Sequence, residues 1–255
     1  MLVLESIIQR HPTVDSKKNR LITNLSLTVI DIFAVRFVFG TAAVGVAQFA
    51  EERGWGLFNL IEWWNGIEVV ATIIILDLMI YIQHVVVHVI PLFWQFHVVH
   101  HSDLDLDVSS GLRFHPIEIL GSMLFKVGLV ITLGPSPIAV VIFEAILNGM
   151  ALFSHSNITL PDKLDRFLRY IIVTPDMHRI HHSVEKMETN SNFGFNLSIW
   201  DRLLGTYIQD AKLEQTKIVI GVDRFRKSDE VSLKNLLLMP FREIPRGYSL
   251  FPKKN

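Results

Sequence analysis

The sequence predicts an all-α integral-membrane bundle of about four spans, capped at one end by a helical lobe. Three observations carry that expectation. Half of the 255 residues are hydrophobic and 19% are charged, with a mean hydropathy of +0.36, which is too apolar for an ordinary soluble domain and too charged at both ends for burial wholly in lipid. Four runs approach the roughly 20 residues that a helix needs to cross a bilayer. Eight of the eleven histidines crowd into three short clusters at or beyond the ends of those runs.

The first run, about 21 to 50, contains Asp31 and Arg36 and leaves open either one tilted span or a half-immersed hairpin. The second, about 67 to 83, reads IEVVATIIILDLMIYIQ and leads straight into a histidine pair. The third and fourth, about 117 to 133 and 138 to 153, flank Gly134-Pro135-Ser136-Pro137, a turn that permits only a tight helical hairpin. Leu164, Phe167, Leu168, Ile171 and Ile172 then recur at helical spacing among charged residues, the pattern of an amphipathic helix lying on a membrane surface. Thr174 and Pro175 form a helix start, as N-cap and first helical residue, so a short separate helix should follow. Beyond 210 the chain is mixed and polar, and KIVIGV at 217–222 is its one strand-like run.

Basic residues orient the bundle. Arg10, Lys17, Lys18 and Arg20 precede the first run, whereas the loop after it has one Arg against three Glu, which places the N-terminus on the cytoplasmic side. Trp55, Trp63 and Trp64 suit an aromatic belt at the opposite interface. Counted through four spans, all three histidine clusters fall on the cytoplasmic face. The expected division is therefore a cytoplasmic N-terminal segment (1–20), a membrane domain holding the clusters (21–210) and a cytoplasmic tail (211–255). The opening MLVLESIIQRHP carries Glu5 within too short an apolar run for a cleavable signal peptide. A net charge of −1 offers no basic field for nucleic acid. With no cysteine, disulfides, thiolate metal sites and cysteine nucleophiles are excluded, so any metal must be held by imidazole and oxygen.

The clusters read HVVVH at 84–88, HVVHH at 97–101 and HRIHH at 178–182. An HxxHH string is expected roughly 0.02 times by chance at this histidine content, and two occur. Residues four apart share a helix face, so His84 with His88, His97 with His101 and His178 with His182 can each grip one ion. His100 and His181 add donors about 100° further round their helices. Brought together, these eight imidazoles suffice for two metal ions with coordination positions left open. His155 is a ninth candidate, and His115, just before Pro116, reads as support rather than as a ligand.

Asp77, Tyr81, His84 and His88 stand within about 60° of one another on a helical wheel, and Glu144, Asn148 and His155 repeat the spacing. Polar groups inside a membrane usually face the bundle interior. Asp77, Tyr81 and Asn148 are therefore candidates to support ligand N–H groups or to line a substrate channel, with plain helix-to-helix hydrogen bonding as the alternative. Spacing does not choose among Zn, Cu, Fe and Ni. Location does favour a redox metal, since substrates reaching the inner end of a lipid-embedded bundle are hydrophobic and attack on their C–H bonds needs activated oxygen. A metal-dependent lipid hydrolase acting through bound water and a non-catalytic divalent-metal transporter are the alternatives. Transport favours ligands at mid-membrane depth on discontinuous helices, whereas these clusters lie at span ends.

The surroundings of the clusters carry a resemblance to a known family. LDLMIYIQHVVVH, FHVVHHSDLDLDVSSGLRFHPIE, FSHSN, TPDMHRIHHS and NSNFGFNLSIWDRLLGTY make the chain, over about residues 20 to 210, resemble the fatty acid hydroxylase and sterol desaturase superfamily of membrane non-haem di-iron enzymes, in its bacterial sterol-desaturase-like branch. The resemblance implies a membrane bundle with a cytoplasmic helical lobe in a multi-pass protein of the bacterial cytoplasmic membrane. It implies two Fe ions held by His84, His88, His97, His100, His101, His178, His181 and His182, with His155 as the best match for a further ligand. It also implies O2 as co-substrate in the hydroxylation or desaturation of a bilayer lipid, whether sterol, fatty acyl or related. Two electrons per turnover would come from an external donor, a ferredoxin, cytochrome or reductase, because no flavin, dinucleotide or haem motif occurs here. Asp176, Asn192 and Asp201 join Asp77, Tyr81 and Asn148 as candidates for support. Relatives carry a further hydrophobic span ahead of the position of Asn24, and this chain begins shortly before it.

Overall fold

A computed structural model of the chain describes residues 1–40, 42–242 and 248. Among the described residues the fold is helical throughout, with no strand: α1 Leu2–Ile7, α2 Lys17–Phe39, α3 Ala42–Arg53, α4 Asn65–Val89, α5 Pro91–His101, α6 Pro116–Leu133, α7 Pro137–Ser154, α8 Asp162–Leu168, α9 Pro175–His181, α10 Lys186–Thr189, α11 Ile199–Leu203 and α12 Leu233–Leu238. Four segments, 17–60, 66–89, 116–133 and 137–154, are long and apolar enough to cross a membrane, which makes this a multi-pass membrane protein.

The first of these segments is two helices and not one tilted rod. It breaks at Gly40, whose φ of 63° is a conformation glycine adopts without a steric penalty. The 23 residues of α2 give about 35 Å of helix, enough to cross a hydrocarbon core of about 30 Å. Ala43 and Ala47 of α3 then pack against Val130 of α6 and Val140 of α7.

Helix α4 buries one stripe, Glu68, Thr72, Leu76, Ile80, Tyr81, His84 and His88, at the three- and four-residue spacing of a helix face. Its two ends do different work. In the first turn the Glu68 carboxylate accepts from Ser136 N (2.9 Å) and Ser136 Oγ (2.8 Å), clasping the α6–α7 turn. That turn has no room for a side chain, since a Cβ on Gly134, at φ +64°, would lie 2.2 Å from the Trp55 carbonyl oxygen. At the other end Pro91 cannot continue the helix and pushes Ile90 into extended geometry (ψ 116°). Helix α5 therefore starts in a new direction, and the histidines of α4 and α5 meet at the bend.

A lobe covers this end. Leu27, Trp94, Val98, Val99, Val222, Leu236 and Met239 form one buried cluster that joins α2, α5 and the C-terminal region. The N-terminal segment is tied in as well, because the buried Glu5 carboxylate accepts from Val108 N (2.8 Å) and Asn157 N (2.9 Å). KIVIGV makes no strand; it contributes one isolated bridge, Ile220 with Ser183. Ile218 and Ile220 instead pack on Leu106 and on Ile180 of the α9 histidine helix. The amphipathic pattern yields α8, which stops at Leu168, short of the expected 172, because Ile172 turns away to bridge Leu197. Leu164, Phe167 and Ile171 are exposed there.

Candidate metal centre

Nine histidines meet in the interior beneath the lobe, all of them buried. Their nitrogens fall into two groups, His84, His88, His97, His101 and His181 in one and His100, His155, His178 and His182 in the other, with the ligand atoms of each group within 4.8 Å of one another. Neighbours in sequence part company: His100 and His101 go to different groups, as do His181 and His182, because one helical residue turns the side chain about 100°. The i, i+4 pairs stay together. The groups adjoin, with the rings of His101 and His182 stacked 4.4 Å apart.

Hydrogen bonds aim the rings. Nδ1–H donates to the Phe193 carbonyl in His84 (2.8 Å), to Glu118 in His97 (2.6 Å), to the Arg113 carbonyl in His100 (3.1 Å), to the Ala151 carbonyl in His155 (2.7 Å) and to the Ser191 carbonyl in His181 (2.7 Å). A carbonyl only accepts, so those contacts fix the tautomer and leave Nε2 with its lone pair facing inward. Gly111 gives His155 its room, because a Cβ there would stand 2.9 Å from the Ala151 oxygen and 3.2 Å from His155 Nδ1.

The donor set fits metal ions. Nε2 of His155 lies 3.1 Å from Nε2 of both His100 and His178, and Nε2 of His182 lies 3.2 Å from that of His178. The lone pairs of His100 and His155 repel at that distance unless a cation sits between them, and two imidazoles bound to one ion at about 2.1 Å stand roughly 3 to 4.2 Å apart. In the other group His97 Nε2, His181 Nε2 and both ring nitrogens of His88 and His101 are buried without a hydrogen-bond partner, a costly arrangement for an unliganded interior. Burial pushes His155 down to about 4 and His181 down to about 3, so both are neutral near pH 7, the state that binds metal.

Of the other residues singled out in the sequence, most stand one layer behind the imidazoles. Tyr81 Oη lies 2.7 Å from Thr206 Oγ1, and the Thr206 hydroxyl donates to Asp201 (2.7 Å). Asp201 also accepts from Phe193 N (2.7 Å) and Gly194 N (2.8 Å), and the Phe193 carbonyl is the partner of His84. Asp77 accepts from Asn196 N, Leu197 N and Trp200 Nε1, fastening the same loop to α4. Asn192, at φ 51°, bonds the Met177 and Ile208 carbonyls, and Asp176 pairs with Arg10 at 2.7 Å. His115 caps α6 through Ile117 N and joins neither group. Asn148 is the exception to the expected inward stripe: it is exposed and turns back onto the Glu144 carbonyl of its own helix, while Glu144 pairs with Lys126 at 2.7 Å. The face that α7 buries runs instead through Val140, Phe143, Leu147 and Ala151, and Asn148 stands about 100° further round the helix from Leu147.

Sequence reasoning did not single out the ion network under His100. Arg20 makes a two-point bond to Asp103 (2.7 and 2.9 Å) and reaches Asp107 (2.6 Å). Arg113, whose carbonyl holds His100, donates to the Val99 carbonyl, Asn24 and Ser102. Burial alone would raise the Asp103 carboxyl, yet the Arg20 and Arg113 guanidinium groups hold it well below the usual carboxylate range. The available signal was the alternating Asp103, Asp105 and Asp107 directly after HVVHH, facing an arginine at the head of an apolar run. Glu118 was equally silent, and its role shows only in the bond to His97.

Comparison with known proteins agrees with this architecture. An ornithine lipid hydroxylase of Rhizobium tropici is 34% identical over 160 residues, covering 62% of this chain and 47% of that protein. Alkylglycerol monooxygenases of Xenopus tropicalis and Homo sapiens are 28% and 29% identical, covering 66% and 65% of this chain but 36% and 35% of their own lengths. The chain thus spans less than half the length of these relatives. No solved structure matches it. The sequence profile described as fatty acid hydroxylase matches residues 69–206, more than half of the 255 residues and inclusive of all nine clustered histidines, and on that match the chain belongs to the fatty acid hydroxylase family.

Proposed function

We propose that this protein is an O2-dependent lipid hydroxylase whose nine clustered histidines hold two iron ions. One observation carries the reading: two adjoining groups of buried imidazoles each bring their ligand nitrogens within 4.8 Å of one another at the end of a membrane bundle. The relatives named as an ornithine lipid hydroxylase and as alkylglycerol monooxygenases support hydroxylation over desaturation. They lend nothing to the hydrolase and transporter alternatives. The bound metal would supply the reduction of O2 that makes attack on an unactivated C–H bond feasible.

The chain's own residues do the rest. His84, His97, His100, His155 and His181 keep their protons on outward acceptors, which raises the basicity of the inward nitrogens and holds the rings at fixed angles. The lobe shuts water away, with His88, His101 and His181 fully buried. The basic residues ahead of and within the first turn of α2 favour a cytoplasmic position for the lobe, where a ferredoxin, cytochrome or reductase could deliver two electrons.

The test is reconstitution with ferrous iron in detergent, followed by lipid mass spectrometry. About two metal ions per chain are expected, and product should form only with both reductant and O2, as a gain of one oxygen in a membrane lipid. Product formed under argon would overturn the oxygenase reading, and loss of two hydrogens would turn hydroxylation into desaturation.

A further inference from the structure

A cavity of about 490 Å³ lies between α4, α5 and the first turns of α6, within the size range of small-molecule sites. Its walls are almost wholly apolar: Ile82, Val86, Phe93, Phe96, Leu124 and Phe125 are among them. Two polar side chains interrupt this lining, Gln83 and Glu118, aside from Ser122, which accepts from the Gln83 amide nitrogen. Both present an oxygen that is buried and has no hydrogen-bond partner, Gln83 Oε1 and Glu118 Oε2. The Glu118 side chain is only 8% exposed, and its other oxygen carries His97 Nδ1–H at 2.6 Å. The cavity therefore ends one residue from the five-histidine group.

Two buried acceptors in an apolar chamber define what fits it: an occupant that is hydrocarbon over most of its length and brings hydrogen-bond donors to one end. Water reaching from the bilayer side is a poor candidate, since the mouth is framed by the exposed apolar residues Leu92, Phe93, Ile117 and Leu124. We propose that this cavity seats one alkyl or acyl chain of a bilayer lipid, entering sideways between α4 and α6, with a hydroxyl or amide N–H near the reacting end held by Glu118 and Gln83. It deepens the hydroxylase reading and rests on it for the word "reacting", but the binding itself needs neither iron nor O2.

Gly121 offers a way to close the cavity. It lies in the lining, and a Cβ built there meets nothing within 4 Å, so a side chain can start there without displacing its neighbours. The experiment uses purified full-length protein in nanodiscs, with no added iron, reductant or O2, and a glycerol monoether whose saturated chain carries a diazirine. Photolysis followed by peptide mapping should place the crosslinks on Phe93, Phe96, Leu124 or Phe125. Gly121→Trp should lose them, with Gly121→Leu as a milder second variant, while both keep the metal stoichiometry of the parent when iron is added separately. Gln83→Leu should weaken capture of the glycerol monoether by roughly two- to tenfold, the effect of one hydrogen bond, and leave capture of a diazirine-bearing alkane unchanged. Crosslinks mapped elsewhere in the parent, or unchanged in Gly121→Trp, overturn the proposal. If the crosslinks fall as expected but the iron-loaded protein makes no oxygenated lipid, the cavity stands and the hydroxylase reading falls.

Discussion

The two histidine groups are built on different kinds of support. In the four-histidine group the fixed rings lean on nearby backbone: His155 on Ala151 four residues earlier, His100 on Arg113 thirteen residues later. In the five-histidine group only His181 leans nearby, on Ser191 ten residues later, while His84 leans on Phe193 at a separation of 109 residues and His97 on the Glu118 side chain at 21. The first group is set by local geometry braced by the buried Arg20–Asp103 pair. The second depends on how the loop after α10 is fastened to α4 by Asp77, Tyr81 and Asp201. Only the second adjoins the apolar cavity, through Glu118. One group is thus placed by the lobe's own framework, and the other is placed where lobe, bundle and lipid-facing cavity meet.

Six substitutions probe that contrast, taken from the largest expected effect downward. His155→Ala leaves its group three imidazoles and should drop metal content from about two ions per chain to about one, with lipid product lost. His101→Ala leaves the other group four and should retain more metal. Equal losses in the two variants, measured by elemental analysis, would break the division into groups. Asp103→Ala takes the two-point partner from Arg20, which is 3% exposed and keeps only Asp107 as a close carboxylate, and breaking a buried pair in this way costs up to about 3–5 kcal/mol. Thermal unfolding in detergent should show that loss, and a shift no larger than that of a surface control would remove the network from its bracing role. Glu118→Gln keeps the shape but gives up the charge facing His97, and should lower iron affinity or turnover by about 10–100-fold while thermal stability changes little. Tyr81→Phe deletes one hydrogen bond two steps from His84, worth roughly 1 kcal/mol, with metal content retained. Asn148→Ala, on an exposed side chain, should stay within about 0.5 kcal/mol; a large effect on turnover there would restore Asn148 to the site.

Much of this site could be read from spacing. HxxxH and HxxHH on helices place i and i+4 on one face, and the structure keeps those pairs together: His84 with His88, His97 with His101, His178 with His182. The limits of α6 and α7 followed from Gly134, Ser136 and the prolines, because a left-handed C-cap and a serine N-cap are local chemistry. Spacing failed for Asn148, because the face it shares with Glu144 lies beside the stripe of Val140, Phe143, Leu147 and Ala151 that α7 buries. It failed for KIVIGV, where β-branched composition met a partner helix instead of a partner strand.

By itself the sequence determined the apolar spans, their breaks at Gly40, Pro91 and the Gly134 turn, and the helical pairing of histidines, since each depends on residues within a few positions of one another. Tertiary structure alone decided that His100 and His101 would serve different groups, that Phe193 and Ser191 would offer their carbonyls to His84 and His181, and that Arg20 would meet Asp103 across 83 residues. Backbone carbonyls carry no sequence signature, and a partner's distance along the chain says nothing about its distance in space until the bundle has packed.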